Sequence, residues 1–205
     1  MPTGTPDTDS NVHYLKPAQV EEIRDAAYHN NFGQRNDAIV TMLYDTGLRR
    51  GELSQVNRDM LDLDEGELRI PPSIQKDYPN DNTPDAVTFE LDRGDSLRTE
   101  RTLRAYLGSR DDTSPALFPS RKSDRLTGKA INDVVKKLAA EADVRPYHAV
   151  GRGEAGDVTA HTLRHSVAWR MLRVEENNTI YDVRNRLRHS TILTTERRYD
   201  HFQTV

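Results

Sequence analysis

The chain has 205 residues, no cysteine, a formal net charge of −4, and 30% charged against 35% hydrophobic residues. That length suits one sizeable core, and the missing thiols exclude a disulfide framework, a cysteine nucleophile and a thiolate metal site. No apolar run approaches a membrane span and residues 1–12 are polar, without the apolar stretch of a signal peptide, so a cytoplasmic protein with no membrane partner is expected.

Residues 1–14 are polar and rich in Pro, Thr and Asp, and read as a flexible lead-in. Lys16-Pro17 opens a helix with proline in its first turn, running to about residue 29. A second helix covers about 35–45, with Ile39, Met42 and Leu43 at helical spacing, and Gly47 stops it. A short helix over 51–56 follows directly. The period then changes. Residues 67–70 and 86–91 read as strands, the second alternating Val87, Phe89 and Leu91, with a Pro/Asp/Asn-rich turn between them. Helices return at about 97–107 and 127–142, the latter placing Ile131, Val134, Val135, Leu138 and Ala142 on one face with Thr127 as its cap. A glycine-containing loop spans 143–158, and three helices follow near 159–173, 180–187 and 194–202. The pattern is α+β and mostly helical, with one small antiparallel sheet inserted after the first helices.

Three segments carry possible chemistry. In Thr46-Gly47-Leu48-Arg49-Arg50-Gly51-Glu52-Leu53 an arginine sits between a glycine helix stop and the next helix, where it can be aimed into a cleft. Alone, the segment better fits an exposed arginine pair beside a cap. In His161-Thr162-Leu163-Arg164-His165, a helix puts His161 and Arg164 on one face while Leu163, Val167 and Met171 turn to the core. Histidines four apart can bind zinc, but Thr162 stands where a zinc hydrolase needs glutamate, so no metal is expected and His165 reads as a packed, hydrogen-bonded structural residue. The third segment is Leu187-Arg188-His189-Ser190, followed by Thr194-Thr195-Glu196-Arg197-Arg198-Tyr199-Asp200-His201. By itself such a tyrosine is an ordinary amphipathic-helix residue.

Order and spacing make the three a set. Together they resemble the tyrosine recombinase, or phage integrase, family over roughly residues 15–202. The first segment matches its Thr-Gly-Leu-Arg-x-x-Glu-Leu box, the second His-x-Leu-Arg-His, and the third Leu-x-His-Ser followed by Thr-Thr and Tyr. The resemblance implies a catalytic set of Arg49, His161, Arg164, His189 and Tyr199. A sixth member, a lysine in the early hairpin, matches Lys76, the only lysine between Lys16 and Lys122. Leu117-Phe118-Pro119-Ser120 is also similar to a family stretch that has no chemical role. Two positions depart from the family: Arg188 stands where glycine is usual, and three residues rather than two separate Thr195 from Tyr199.

The implied fold is the recombinase catalytic core over 15–205, with the family's N-terminal core-binding domain absent from this chain. The implied reaction is metal-free and cofactor-free cleavage and rejoining of double-stranded DNA through a 3′-phosphotyrosyl link. Alternatives are a type IB topoisomerase-like DNA-relaxing enzyme or a silent DNA-binding regulator. The implied partners are duplex DNA and further protomers, monomeric off DNA and in a tetrameric synapse on it for the full-length protein.

The residue types suit that chemistry. A phosphodiester gains negative charge on its non-bridging oxygens as it is attacked, and two guanidiniums bind those oxygens bidentately at any working pH. A phosphotyrosyl link conserves the bond energy, so rejoining needs no ATP. Lys76 is the candidate acid for the leaving 5′-oxygen. His161 and His189 share the roles of taking the tyrosine proton and donating to the phosphate, in either order. Charge distribution agrees: residues 1–100 hold 20 acids and 10 bases, residues 101–205 hold 13 acids and 19 bases, so a polyanion would engage the second half. Arginine outnumbers lysine 23 to 6 beside 21 aspartates, which fits adaptation to high salt or a codon bias.

Overall fold

Apolar spacing and capping chemistry agree along most of the chain, and the helices form where they do. A computed structural model describes residues 12–76 and 84–202. The elements run α1 (Pro17–Ala27), α2 (Gly33–Thr46), α3 (Arg50–Gln55), β1 (Leu61–Asp62), β2 (Glu67–Ile70), β3 (Val87–Glu90), α4 (Thr99–Gly108), α5 (Gly128–Glu141), β4 (Tyr147–His148), β5 (Gly151–Arg152), α6 (Ala160–Arg173), α7 (Ile180–Leu187) and α8 (Ile192–Tyr199). Among the described residues no helix is long and apolar enough to cross a membrane.

The lead-in expected over 1–14 does not extend over residues 12–14. Val12 and Leu15 are buried, and Tyr14 exchanges backbone hydrogen bonds of 2.9 and 2.8 Å with Tyr147. Backbone pairing and apolar burial thus fasten residues 12–15 to the body. The remainder of that expectation, residues 1–11, lies outside the described residues.

Helix α2 is the centre of the fold. Every residue from Asn36 to Thr46 is buried, and α1, α4 and α6 pack around it. Polar side chains on so enclosed a helix need partners. Asp37 accepts from Arg24 Nε at 2.6 Å and from Tyr28 Oη at 2.8 Å. Asp45 accepts from Arg186 Nη2 at 2.6 Å and from the Asp92 amide at 2.9 Å. The helix ends at Gly47, which is left-handed (φ 66) and whose amide bonds Leu43 O at 3.0 Å. A Cβ there would lie 2.6 Å from Leu187 Cδ2, so glycine serves both the helix stop and the approach of α7.

The antiparallel sheet has strand order β1-β2-β3, with Leu68 opposite both Leu61 and Phe89. Leu68, Ile70 and Phe89 face the core while Arg69 and Thr88 face solvent, the alternation that the sequence showed in the second of the two strands. Strand β1 and the β4–β5 pair inside the expected 143–158 loop are two residues each, too short to leave a periodic signal.

In the second half, hydroxyl caps decide the helix starts. Thr159 and Thr162 bond each other's amides at 3.1 Å at the head of α6, and Thr162 Oγ1 also donates to Asp157 O at 3.0 Å. Thr162 therefore stands in this segment as a capping residue. Helix α7 has the expected bounds, and α8 starts two residues earlier than expected because Thr191 caps it, its hydroxyl accepting from the Thr194 amide. A 3-10 turn, Asp200–Phe202, completes the expected last helix.

Candidate active site

Four segments converge where α2 and α7 end, α6 passes, and α8 ends. The tie among them is Arg164. Its guanidinium donates through Nη1 to Gly47 O and through Nη2 to Leu187 O. The last carbonyls of a helix lack intrahelical partners and carry the negative end of its dipole, so one planar fork satisfies two helix ends. Those two ends lead directly to Arg49 and His189.

Arg164 is only 2% exposed and, among the described residues, makes no ion pair with a carboxylate. Burial, followed by the charge of Arg49, lowers its pKa to about 9. A buried cation without its own carboxylate is stabilised when an anion arrives.

Arg49 precedes the first turn of α3. Its Nη1 lies 2.8 Å from Glu52 Oε1, and its amide donates to Glu52 Oε2 at 2.8 Å. Buried Glu52 also accepts from Arg188 Nη2 at 2.6 Å. Burial pushes the Glu52 pKa up, but Arg188, Arg49 and the Arg49 amide outweigh it and hold the carboxyl below its ordinary value.

The histidines and Tyr199 form one aromatic cluster. His161 lies at the rim, exposed, with its ring edge-on to His165 at 4.3 Å between centroids. His165, one turn further along α6, places Nδ1 2.6 Å from Tyr199 Oη. Tyr199 has no exposed surface and stacks on His189 (6.1 Å between centroids, 16° between planes) and on Phe202 (5.6 Å). His189 Nδ1 lies 2.9 Å from Thr195 Oγ1. Thr195 and Tyr199 are four apart and both buried, so they share the inner face of α8. The extra residue before the tyrosine leaves it on the face that holds His189.

All three imidazoles have lowered pKa values. His189 falls to about 3, by burial first and then by arginines including Arg164, Arg198 and Arg49. His161, whose outer edge is in solvent while its inner side lies against protein, falls to about 4 by desolvation of that side and the same arginines. His165 falls well below its ordinary value, by burial and then by His161 and the same arginine field. An unfolded chain would protonate these rings near 6.5, whereas the folded chain resists until far lower pH. Their contribution to stability is thus complete above about pH 7 and is lost as pH falls below 6.5 toward 4. The enclosed His189 ring contributes up to roughly 1.4 kcal/mol per pH unit in that window, His165 acts in the same direction, and solvent-screened His161 contributes less. Urea unfolding at about pH 7 and pH 5 should show the drop, and His189→Gln should shrink it. A profile with the same slope in both proteins would refute the assignment.

Five of the six residues expected from sequence meet in this region. Lys76 does not. It is exposed on the β2–β3 connection and, among the described residues, has no hydrogen bond or ion pair. Its neighbour Gln75 is held: Gln75 Oε1 accepts from Arg188 Nη1 at 3.1 Å, and Gln75 Nε2 donates to Asp85 O at 2.7 Å. His165 is packed and hydrogen-bonded as expected, but its partner is the Tyr199 hydroxyl, which makes it part of the site. The i, i+4 relation to His161 was the available signal. Nothing local in the sequence pointed to Gln75 or to a use for Arg188.

The model of the phage integrase family matches residues 13–204. A tyrosine recombinase XerC of Bifidobacterium longum is 31% identical over 194 residues, covering 90% of this chain and 48% of the relative. A tyrosine recombinase XerA of Thermococcus kodakarensis is 30% identical over 166 residues, covering 80% and 50%. The chain thus spans about half the length of the curated relatives it matches. Among solved structures, a XerA recombinase aligns with TM-score 0.69 at 22% identity, over 94% of this chain and 60% of that one. A XerH site-specific recombinase bound to palindromic difH substrate, a post-cleavage complex, aligns with TM-score 0.68 at 19% identity, over 98% and 53%. With the family model covering nearly the whole chain and the motif residues gathered at one place, this chain belongs to the phage integrase family.

Proposed function

We propose that this chain cleaves and rejoins duplex DNA as the catalytic part of a site-specific recombinase, through a phosphotyrosyl intermediate and without a metal ion. The observation that carries the reading is a buried guanidinium lacking a carboxylate, set in the same cluster as a tyrosine hydroxyl held by a neutral imidazole. An arriving phosphate would supply the negative charge that this guanidinium lacks, next to the tyrosine hydroxyl. Relatives named tyrosine recombinases, and a similar fold solved with its DNA substrate after cleavage, support the same reading.

In this mechanism Arg49 and Arg164 bind the non-bridging oxygens of the scissile phosphate, and their charge is worth most in the transition state. Tyr199 Oη attacks phosphorus and the bond to the 5′-oxygen breaks. The tyrosine proton passes to His165, its hydrogen-bond partner, rather than to His161 or His189, the two candidates of the motif. With Thr195 donating to Nδ1, His189 carries its own proton on Nε2 and donates to a phosphate oxygen. Lys76 protonates the departing 5′-oxygen once the β2–β3 connection lies against DNA. Rejoining is the reverse: the 5′-hydroxyl attacks the phosphotyrosine. On DNA the full-length protein pairs two duplexes in a tetrameric synapse.

The test is covalent trapping. Nicked duplexes with randomised cores, which lose a short fragment after cleavage, are incubated with the protein in excess EDTA. A detergent-stable protein–DNA species is expected, because arginines supply the charge that a metal supplies elsewhere. No such species, or one that forms only when magnesium is restored, overturns the proposal.

A further inference from the structure

We propose that Arg188 is a positioning residue that sets two catalytic groups at once: Arg49 through Glu52, and the connection carrying Lys76 through Gln75. The inference rests on the DNA-cleaving reading above and concerns how its charged groups are kept in register.

The backbone marks the position first. Arg188 is the residue just past α7, with φ 52, and the amide of His189 reaches back to Arg184 O at 3.1 Å. Glycine is the residue that such a helix end favours. A side chain kept there against that preference, and 94% shielded from solvent, needs a use, and its contacts supply one. Nη2 reaches Glu52 Oε2 at 2.6 Å and Nη1 reaches Gln75 Oε1 at 3.1 Å, spanning 136 and 113 residues of sequence. The guanidinium also lies 5.2 Å from the Phe89 ring of β3. Glu52 in turn fixes the Arg49 side chain and amide. Gln75 closes the base of the connection through Ile70 O at 3.3 Å and Asp85 O at 2.7 Å, and Lys76 is the next residue.

The planar fork is what allows this. Its two terminal nitrogens point to separate acceptors in one plane, so a movement of Glu52 is felt at Gln75. A lysine would satisfy one acceptor and release the other. A single residue thus registers a phosphate clamp and the leaving-group acid.

The experiment uses one duplex recovered by covalent trapping and resynthesised in two forms, with oxygen or with sulfur at the 5′-bridging position of the cut. Sulfur leaves as a thiolate and needs no proton, so it bypasses an acid that is absent or misplaced. Lys76→Ala, slow on oxygen and restored on sulfur, confirms Lys76 as the acid. Arg188→Gly, which suits the left-handed backbone, should cleave the oxygen duplex about a hundredfold more slowly. Sulfur should restore much of that loss, the unrestored part reporting on Arg49. Arg188→Lys and Gln75→Ala should show the sulfur-restored part, which covers the case that Arg188→Gly does not fold. Arg188 variants that cleave oxygen within about twofold of wild type, or that are slowed equally on both duplexes, overturn the positioning role. Absence of any adduct with the wild-type protein, or no sulfur restoration in Lys76→Ala, overturns the underlying reading instead.

Discussion

Tyr199→Phe is expected to abolish the covalent DNA adduct completely while leaving the fold in place. The substitution removes one oxygen from a side chain with no exposed surface, so the apolar packing against His189 and Phe202 persists. Its structural price is the hydrogen bond to His165, whose buried Nδ1 loses its partner at about 1–3 kcal/mol. The chemical effect is expected to be total, because among the described residues no other hydroxyl is hydrogen-bonded to His165. Thr195 Oγ1 is engaged with His189. Among the other tyrosines, burial raises Tyr44 and Tyr106 to a pKa of about 12, which makes them poorer nucleophiles at neutral pH. Tyr181 is exposed on α7. Denaturing gels and peptide mass spectrometry of the trapped species read the result. An adduct from the phenylalanine protein, on any residue, would mean the nucleophile is misassigned.

The second large effect is expected at Arg164. Arg164→Lys keeps a positive charge but should lower cleavage by about two to three decades, while duplex binding stays within a small factor. One ammonium cannot hold Gly47 O, Leu187 O and a phosphate together, and a buried lysine loses its proton more readily than arginine. The carbonyl left without a donor costs about 1–3 kcal/mol, so a lower melting temperature should accompany the loss of rate. Arg49→Ala separates the two effects. Arg49 is partly exposed, and Glu52 keeps its bond to Arg188 when Arg49 is gone. Its cleavage should fall comparably with much less change in stability. Binding is spread over many phosphate contacts and is insensitive to one of them. If either variant loses binding and cleavage in parallel, that arginine is a backbone anchor and not a transition-state clamp.

Most helices and both longer strands were legible from residue order, because the signals that set them are short-range. Proline at the head of α1, the threonine cap at 127, glycine at 47 and period-two alternation in β3 all act within about four residues. The spacing of the arginine, histidine and tyrosine motifs was equally legible, and it carried the family and the candidate chemistry. Other features depended on groups far apart in the chain. Arg164 meets Gly47 and Leu187, His165 rather than His161 bonds the Tyr199 hydroxyl, and Arg188 joins Glu52 to Gln75. Each is a side-chain contact between elements, and its geometry depends on where two helix ends come to rest when the core around α2 packs. A helical period tells which face a residue occupies. Which polar group waits opposite that face follows only from the packing, and here it separates the imidazole that touches the Tyr199 hydroxyl from the one a turn away.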